Sequence, residues 1–289
     1  MARSAIMDLD KREACVLKLL ATDMDGTILV DNEIPEESRA LIEELYAKDI
    51  LTFFVTGRMW KSPAWYQKRF SFSAPMVSCN GGIVHDAAGR VLARHPIPEE
   101  VLSYLIGFCR KEDAFFQFYN EDALYLSGYS KRTLRRYSAS GADNTRMQAP
   151  ILIDADPLAR VVKSHDLPVK FVIMDEDTDK LQALRAVLAK REDIAIAKSD
   201  TKNLEITMSG ATKGKGLSLI ADSLGVAKKD IIAIGDNEND LTMFPYAGLS
   251  IGVEGGSALV AQAADVMTRP PAEGGWAAAI RKYVLDARV

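Results

Sequence analysis

Read from the N-terminus, the chain alternates short apolar runs with longer segments whose apolar residues recur at helical spacing. Val16 to Thr22 is mostly apolar and ends at Asp23, and Ile50 to Val55 (I-L-T-F-F-V) is a second such run, ending in T-G-R. Continuous apolar runs of this length, without polar alternation, suit strands buried on both faces of a parallel sheet. Between them Pro35 opens a stretch with Leu41, Ile42, Leu45 and Tyr46 at helical spacing. A further helical segment leads to Pro75 and the strand-like M-V-S-C, followed by N-G-G. Strand, helix, strand, helix, strand is the order of a doubly wound α/β sheet, whose sites lie beyond the carboxyl ends of its strands.

From about Ile83 the pattern changes. Short β-like runs (Phe115 to Tyr119, Leu124 to Leu126, Val169 to Met174, Ile194 to Ala197, Leu204 to Thr207) alternate with helical stretches near 98–111 and 178–190. The segment 138–168 is polar and Pro-interrupted, and its pattern assigns no element. From Gly210 the α/β alternation returns. A helix with Leu217, Ile220 and Leu224 on one face is followed by I-I-A-I-G-D, a helix, G-L-S-I-G, a helix, D-V-M-T and a last helix around Ala277 to Leu285. The pattern predicts one doubly wound, parallel-sheet α/β core, residues 1–83 and 209–289, interrupted by an inserted α+β unit at 84–208.

Composition narrows the functional classes. The chain has 289 residues, 48% hydrophobic and 26% charged, which is ordinary for a globular protein. Its net charge of −4 gives no basic footprint for nucleic acid. No apolar run reaches the roughly 20 residues that span a bilayer. The opening M-A-R-S-A-I-M-D-L-D-K-R-E is too charged for a signal peptide and reads as a poorly ordered lead-in. Cys15, Cys79 and Cys109 form no C-x-x-C pair and read as small buried thiols. His85, His95 and His165 lack zinc-enzyme spacing. These features together suggest a cytoplasmic protein.

The candidate chemistry sits where strands meet carboxylates. In L-L-A-T-D-M-D-G-T-I-L, residues 19 to 29, a buried strand ends in Asp23 and Asp25. Taken alone, D-G is an ordinary turn dipeptide. In I-A-I-G-D-N-E-N-D-L, residues 232 to 241, a second strand runs into Asp236 and Asp240. If the two strands are neighbours, four carboxylates crowd one rim, which a divalent cation with a taste for hard oxygen ligands, Mg²⁺, would neutralise. T-K-G-K-G, residues 212 to 216, places a lysine at a helix start, a ready anion site, and Lys213 and Lys215 compete for that part. Thr56 and Gly57 offer a hydroxyl and backbone N–H groups to the same anion. An anion beside a Mg²⁺ carboxylate site points to phosphate.

In that order, D-M-D-G-T, T-G-R, T-K-G and G-D-N-E-N-D resemble the four motifs of the haloacid dehalogenase superfamily. The block between T-G-R and T-K-G resembles the C2-type cap of its Cof-like (type IIB) sugar-phosphatase branch. The resemblance runs from about Val16 to the C-terminus and implies a Rossmann-like core with an inserted α+β cap. It further implies that Asp23 attacks phosphorus to form an aspartyl-phosphate, and that Asp25 protonates the leaving oxygen and then activates water. Thr56, Gly57 and the backbone of Met24 would hold phosphate oxygens, and Asn239 would reach the phosphate. Lys213 would offset charge on Asp23 and phosphate, family spacing favouring it over Lys215. Mg²⁺ would be held by the Asp23 carboxylate, the Asp25 backbone carbonyl and Asp236, with Asp240 orienting Lys213 or metal-bound water. The lesser alternative for Asp240 is a first-turn residue favoured only by the helix dipole. Arg58 is a candidate substrate contact or an exposed loop arginine. Phe115, Phe116, Phe118, Tyr119 and Tyr125 read as core and sheet residues of the inserted unit.

Two departures from the family pattern are present: Val253-Glu254 replaces a common Asn-Ala pair, and A-E-G-G-W replaces an acidic-Gly-aliphatic turn. They bear on substrate preference and local packing. The expectation is a Mg²⁺-dependent phosphatase of small phosphorylated metabolites, with sugar phosphates foremost, monomeric or homodimeric, and without nucleic-acid or membrane partners. The rival expectations are a phosphomutase of the same superfamily and a phosphate-sensing regulatory protein without turnover.

Overall fold

The computed structural model describes residues 18–121, 123–129, 150–154 and 156–286. The N-terminal lead-in, Cys15, Val16 and the stretch 138–149 lie outside the described residues. In chain order the first part holds β1 (Lys18–Thr22), α1 (Glu36–Ala47), β2 (Ile50–Phe54), α2 (Lys61–Gln67), β3 (Met76–Ser78), β4 (Ile83–His85) and β5 (Val91–Arg94). The middle part holds α3 (Glu99–Lys111), β6 (Phe115–Tyr119), β7 (Leu124–Leu126), β8 (Ile151–Ile153), α4 (Pro157–Lys163), β9 (Lys170–Met174), α5 (Thr178–Leu188), β10 (Ile194–Ala197) and β11 (Asn203–Met208). The last part holds α6 (Lys213–Leu224), β12 (Ile231–Gly235), β13 (Leu249–Val253), α7 (Ala258–Ala263), β14 (Val266–Thr268) and α8 (Gly275–Ile280). Among the described residues no helix is long and apolar enough to cross a membrane.

The first sheet has the order β14-β13-β12-β1-β2, and its pairings are parallel. β1 and β12, far apart in sequence, are neighbours, with Thr22 opposite Ile234. Their residues are buried almost throughout because helices cover both faces of the sheet. The two carboxylate-bearing strand ends therefore share one rim.

The second sheet, β10-β11-β9-β6-β7-β8, is antiparallel except where β7 meets β8. Side chains alternate across a strand, so its two faces differ. Phe116, Phe118, Phe171, Ile173, Leu204 and Ile206 pack with α3 and α5 as an apolar core. The intervening Gln117, Tyr119, Lys170, Val172, Asn203 and Glu205 line a cleft that also includes the rim of the first sheet. Phe116, Phe118 and Tyr125 are core residues, and Tyr119, buried in a second apolar cluster, also lines the cleft.

Several elements differ from the sequence pattern. β4 and β5 form a three-stranded sheet with β3, and the boundary expected at 84 falls inside β4. These strands are short, and the exposed side of β5 hides their periodicity. Within the unassigned stretch, β8 and α4 appear, α4 being started by Pro157 and capped by the Asp156 carboxylate. After β12 no α-helix forms: the chain makes two one-turn 3₁₀ helices, Glu238–Asp240 and Phe244–Tyr246. Pro245 cannot continue a helix from the preceding turn, and Asp240 turns back to cap its own N-terminus. Cys79 and Cys109 are free and buried.

Candidate active site

β1 delivers Asp23 to the rim. The Asp23 N–H extends the parallel ladder to the Ile234 carbonyl (3.0 Å), and the chain then folds so that the Thr27, Ile28 and Leu29 N–H groups donate to the Met24 carbonyl. Gly26 sits in this turn at φ +74°, where a Cβ would lie 2.4 Å from an Asp236 oxygen. Only glycine allows β12's carboxylate so close to the first loop. Thr27 Oγ1 donates to Asp236 at 2.8 Å, tying the two loops together.

α6 contributes Lys213 at its first residue, behind the Thr212 cap. The Lys213 ammonium is fully buried, 2.8 Å from Asp23 and 2.6 Å from Asp240. Burial pushes its pKa down, but the two carboxylates outweigh burial and hold it well above the ordinary lysine range. Lys215, two residues on, is exposed, and only its backbone N–H serves the site, as the donor to the cap. Asp240 accepts from Lys213 through one oxygen and from the Asp236 and Asn237 N–H groups through the other (3.0 and 2.9 Å).

Asp23, Asp236 and Asp240 each offer an oxygen within 4.8 Å of the others. Three buried carboxylates thus face a single ammonium. Burial, partly offset by Lys213, raises Asp23 well above the carboxylate range. Burial and the neighbouring Asp240 push Asp236 up to about 7. Two desolvated carboxylates held toward their protonated forms suit a divalent cation, which would replace the missing positive charge. Because Asp240 is committed to Lys213 and two N–H groups, Asp23 and Asp236 would be the side chains left to hold such a cation.

Asp25 and Arg58 meet across the cleft mouth. Arg58 Nε and Nη2 fork onto the two Asp25 oxygens at 2.7 and 2.5 Å, while Nη1 reaches Ser62 at 3.1 Å. Such a fork is geometrically exacting. Arg58 is therefore neither an idle loop residue nor aimed only into the cleft. Thr56 is buried and accepts from the Arg58 N–H at 3.1 Å. Asn239 is buried, and its Nδ2 donates to Asn80 Oδ1 at 3.2 Å. Asp23, Asp25, Gly57, Arg58 and Asn239 line one cleft between the two sheets. The structure thus gathers Asp23, Asp25, Thr56, Gly57, Arg58, Lys213, Asp236, Asn239 and Asp240 at one rim.

Among the residues that escaped the sequence reading are Lys170 and Glu205, which line this cleft, and Asn80, which meets Glu205 behind it. Lys170 forms a buried ion pair with Glu205 at 2.7 Å and donates to the Gly57 carbonyl at 2.9 Å. Glu205 also accepts from Asn80 at 2.6 Å. Burial pushes the Glu205 carboxyl up, but Lys170 and the hydrogen bonds it receives hold it below its ordinary value. A charged residue at the start of an apolar strand (Lys170) and one in the middle of another (Glu205) were the available signals. The A-E-G-G-W departure also gains a place: buried Trp276 donates to Thr22 Oγ1 at 3.1 Å, at the end of β1.

Comparison with known proteins gives the family and the fold. A family model described as haloacid dehalogenase-like hydrolase matches residues 20–280. A 5-amino-6-(5-phospho-D-ribitylamino)uracil phosphatase, YcsE, of Bacillus subtilis (strain 168) is 24% identical over 276 residues, covering 95% of this chain and 99% of the relative. An HMP-PP phosphatase of Escherichia coli (strain 55989 / EAEC) is 28% identical over 233 residues, covering 80% and 82%. Among solved structures, a haloacid dehalogenase-like hydrolase from B. subtilis superposes with a TM-score of 0.82 at 19% identity, covering 93% of this chain and 100% of that one. This last likeness is one of fold.

Proposed function

Because the chain belongs to the haloacid dehalogenase-like hydrolases, we propose that it is a Mg²⁺-dependent phosphatase that hydrolyses small phosphomonoesters, sugar phosphates foremost, through an aspartyl-phosphate on Asp23. The observation that carries this reading is the buried Asp23–Lys213–Asp240 chain beside Asp236, at the carboxyl ends of adjacent parallel strands. Names of relatives at 24% and 28% identity, both phosphatases of phosphorylated small molecules, support the substrate class.

In the first step an Asp23 oxygen attacks phosphorus, and the bond to the leaving oxygen breaks in line. Lys213 is held between Asp23 and Asp240, so its charge is already in place as negative charge moves onto the phosphoryl oxygens. In this reading the Thr56 hydroxyl, the backbone N–H groups at Met24 and Gly57, and Asn239 donate to those oxygens. Asp25, proposed to carry the proton to the leaving oxygen, must exchange its Arg58 partners for that proton, which assigns Arg58 the task of holding Asp25 between steps. In the second step water attacks phosphorus, Asp25 takes its proton, and Asp23 is released. Mg²⁺, held by Asp23, Asp236 and the Asp25 carbonyl, would supply charge neutralisation of the phosphoryl oxygens. The second sheet and its helices, in this reading, are an inserted unit that roofs the site and meets the leaving group.

The test is phosphate release across a panel of phosphorylated metabolites with Mg²⁺ present. Turnover of a subset, abolished by chelation and restored by Mg²⁺ but not by Ca²⁺, is expected. Full activity in excess chelator, or release from no member of the panel, overturns the reading.

A further inference from the structure

The roof of the cleft contains a charged pair in an expensive place. Lys170 and Glu205 lie on the cleft face of the second sheet with side chains only 2% and 7% exposed. Taking an ammonium and a carboxylate out of water rarely gains stability over an apolar pair of the same volume. The pair's other partners show what it does instead.

Lys170 Nζ donates to the Gly57 carbonyl at 2.9 Å. The same peptide plane carries the Arg58 N–H, which donates to Thr56 Oγ1 at 3.1 Å. Fixing the carbonyl therefore fixes the N–H that occupies a Thr56 lone pair, which leaves the hydroxyl hydrogen to point elsewhere. The close approach requires glycine: a Cβ on residue 57 would meet Asn80 Oδ1 at 2.9 Å and Lys170 Nζ at 3.0 Å.

Glu205 sets a second line of contacts. One of its oxygens accepts from Lys170 and from Ser199 Oγ, each at 2.7 Å. The other accepts from Asn80 Nδ2 at 2.6 Å. An ionised carboxylate can only accept, so it forces Asn80 to present its Oδ1 to the far side. That Oδ1 in turn forces Asn239 to present Nδ2, at 3.2 Å. Asn239 is left with Oδ1 buried and without a partner. The orientation of Asn239, on the first sheet's rim, is thus dictated by a carboxylate on the second sheet.

We propose that Lys170 and Glu205 are positioning residues of the phosphate site: acting through Gly57 and Asn80, they orient Thr56 and Asn239, so that the site over Asp23 is complete only when the second sheet is seated on the first. This rests on the phosphatase reading. It differs from a grip on the leaving group, because both Glu205 oxygens are already engaged and the Lys170 ammonium is held by Glu205 and the Gly57 carbonyl.

The test compares Lys170→Met, Lys170→Arg and Glu205→Gln with the unaltered protein, on a sugar phosphate and on p-nitrophenyl phosphate. Supporting groups of this kind change activity by roughly 10- to 100-fold when removed. A fall of about tenfold or more in kcat is expected for Lys170→Met, by the same factor on both substrates, with partial rescue in Lys170→Arg. Inorganic phosphate binding, read by calorimetry, should weaken in parallel. Glu205→Gln keeps the volume, so it covers the case in which Lys170→Met does not fold. Its new amide donates to Asn80, which must turn over, and Asn239 with it; the side-chain amide NMR signals of both should move. A change confined to KM for the sugar phosphate, or an Asn239 amide unmoved while Asn80 shifts, overturns the proposal. If the unaltered protein hydrolyses no phosphate ester, the phosphatase reading fails, whereas the amide signals still test the relay by themselves.

Discussion

Lys213 and Lys215 carry the same charge two residues apart, and their surroundings separate them. Lys213 is buried between two carboxylates; Lys215 points to water. Lys213→Ala should lose on the order of 10²-fold or more in rate, as for other charge contacts made in the transition state, while Lys215→Ala should change little. Equal losses in steady-state assays would place the anion charge elsewhere. Asp236 makes a second prediction, with a definite sign. Its pKa, pushed up to about 7 in the folded protein, lies above that of an unfolded aspartate. Between pH ~4 and ~7 the folded state therefore holds a proton that the unfolded state has lost. Stability of the metal-free protein should fall as pH rises through this window, and Asp23, raised by the same burial, acts in the same direction. Melting of chelated protein at pH 5 and pH 7.5 checks it: the Tm should be lower at pH 7.5, and Mg²⁺ should recover more at pH 7.5 than at pH 5. A higher metal-free Tm at pH 7.5 would show that the cluster does not control the window.

The turn Glu238–Asp240 shows why an element mistaken for an α-helix still works. A 3₁₀ turn has three residues per turn, so successive side chains point about 120° apart. Glu238 meets Arg185 on α5, Asn239 meets Asn80, and Asp240 turns back to Lys213 and two N–H groups. Asp240→Asn keeps the shape but brings an amide N–H₂ against these donors. A buried polar mismatch costs about 1–3 kcal/mol, so the Tm should fall by several degrees and turnover with it; an unchanged Tm would mean that the turn stands without its cap. The letters D-N-E-N-D marked Asp236 and Asp240 as chemistry because carboxylates at a buried strand end are uncommon. They said nothing of Glu238 or Asn80, whose partners lie 53 and 125 residues away. Pattern along the chain reports burial and local geometry, whereas such pairs exist only once two sheets are brought together. β4 and β5 escaped for a local reason, being too short to establish a period.

At the scale of the molecule, the parallel sheet was legible because its strands are buried on both faces. How the second sheet sits on the first was not, because it depends on contacts of unlike character at different places. In one place Met59, Cys79 and Ile83 pack with Tyr119, Leu124, Leu126, Val169 and Val172 in an apolar cluster. Elsewhere the links are polar: Arg185 forks onto Glu238, and Asn237 donates to the Ser199 carbonyl at 3.3 Å. Apolar contacts hold in salt, whereas a partly exposed ion pair is screened by it. The Arg185 and Glu238 side chains, 31% and 19% exposed, are within reach of that screening. If the sheets part to admit substrate, they should do so at the ionic contacts and pivot on the apolar cluster. Arg185→Ala should then raise KM several-fold, and raising ionic strength from about 0.05 M to about 1 M, which shortens the screening length to a few ångströms, should bring the unaltered enzyme toward the variant. The variant's own KM should respond less to salt. Exchanging the charges, Arg185→Glu with Glu238→Arg, should restore both the low KM and its salt dependence, since the pair rather than either residue is the contact. X-ray scattering supplies the structural readout, with a larger radius of gyration for Arg185→Ala in low salt than for the unaltered protein. Parallel salt responses in the two proteins, with equal radii, would show that the ion pair lies on the surface of a contact held elsewhere.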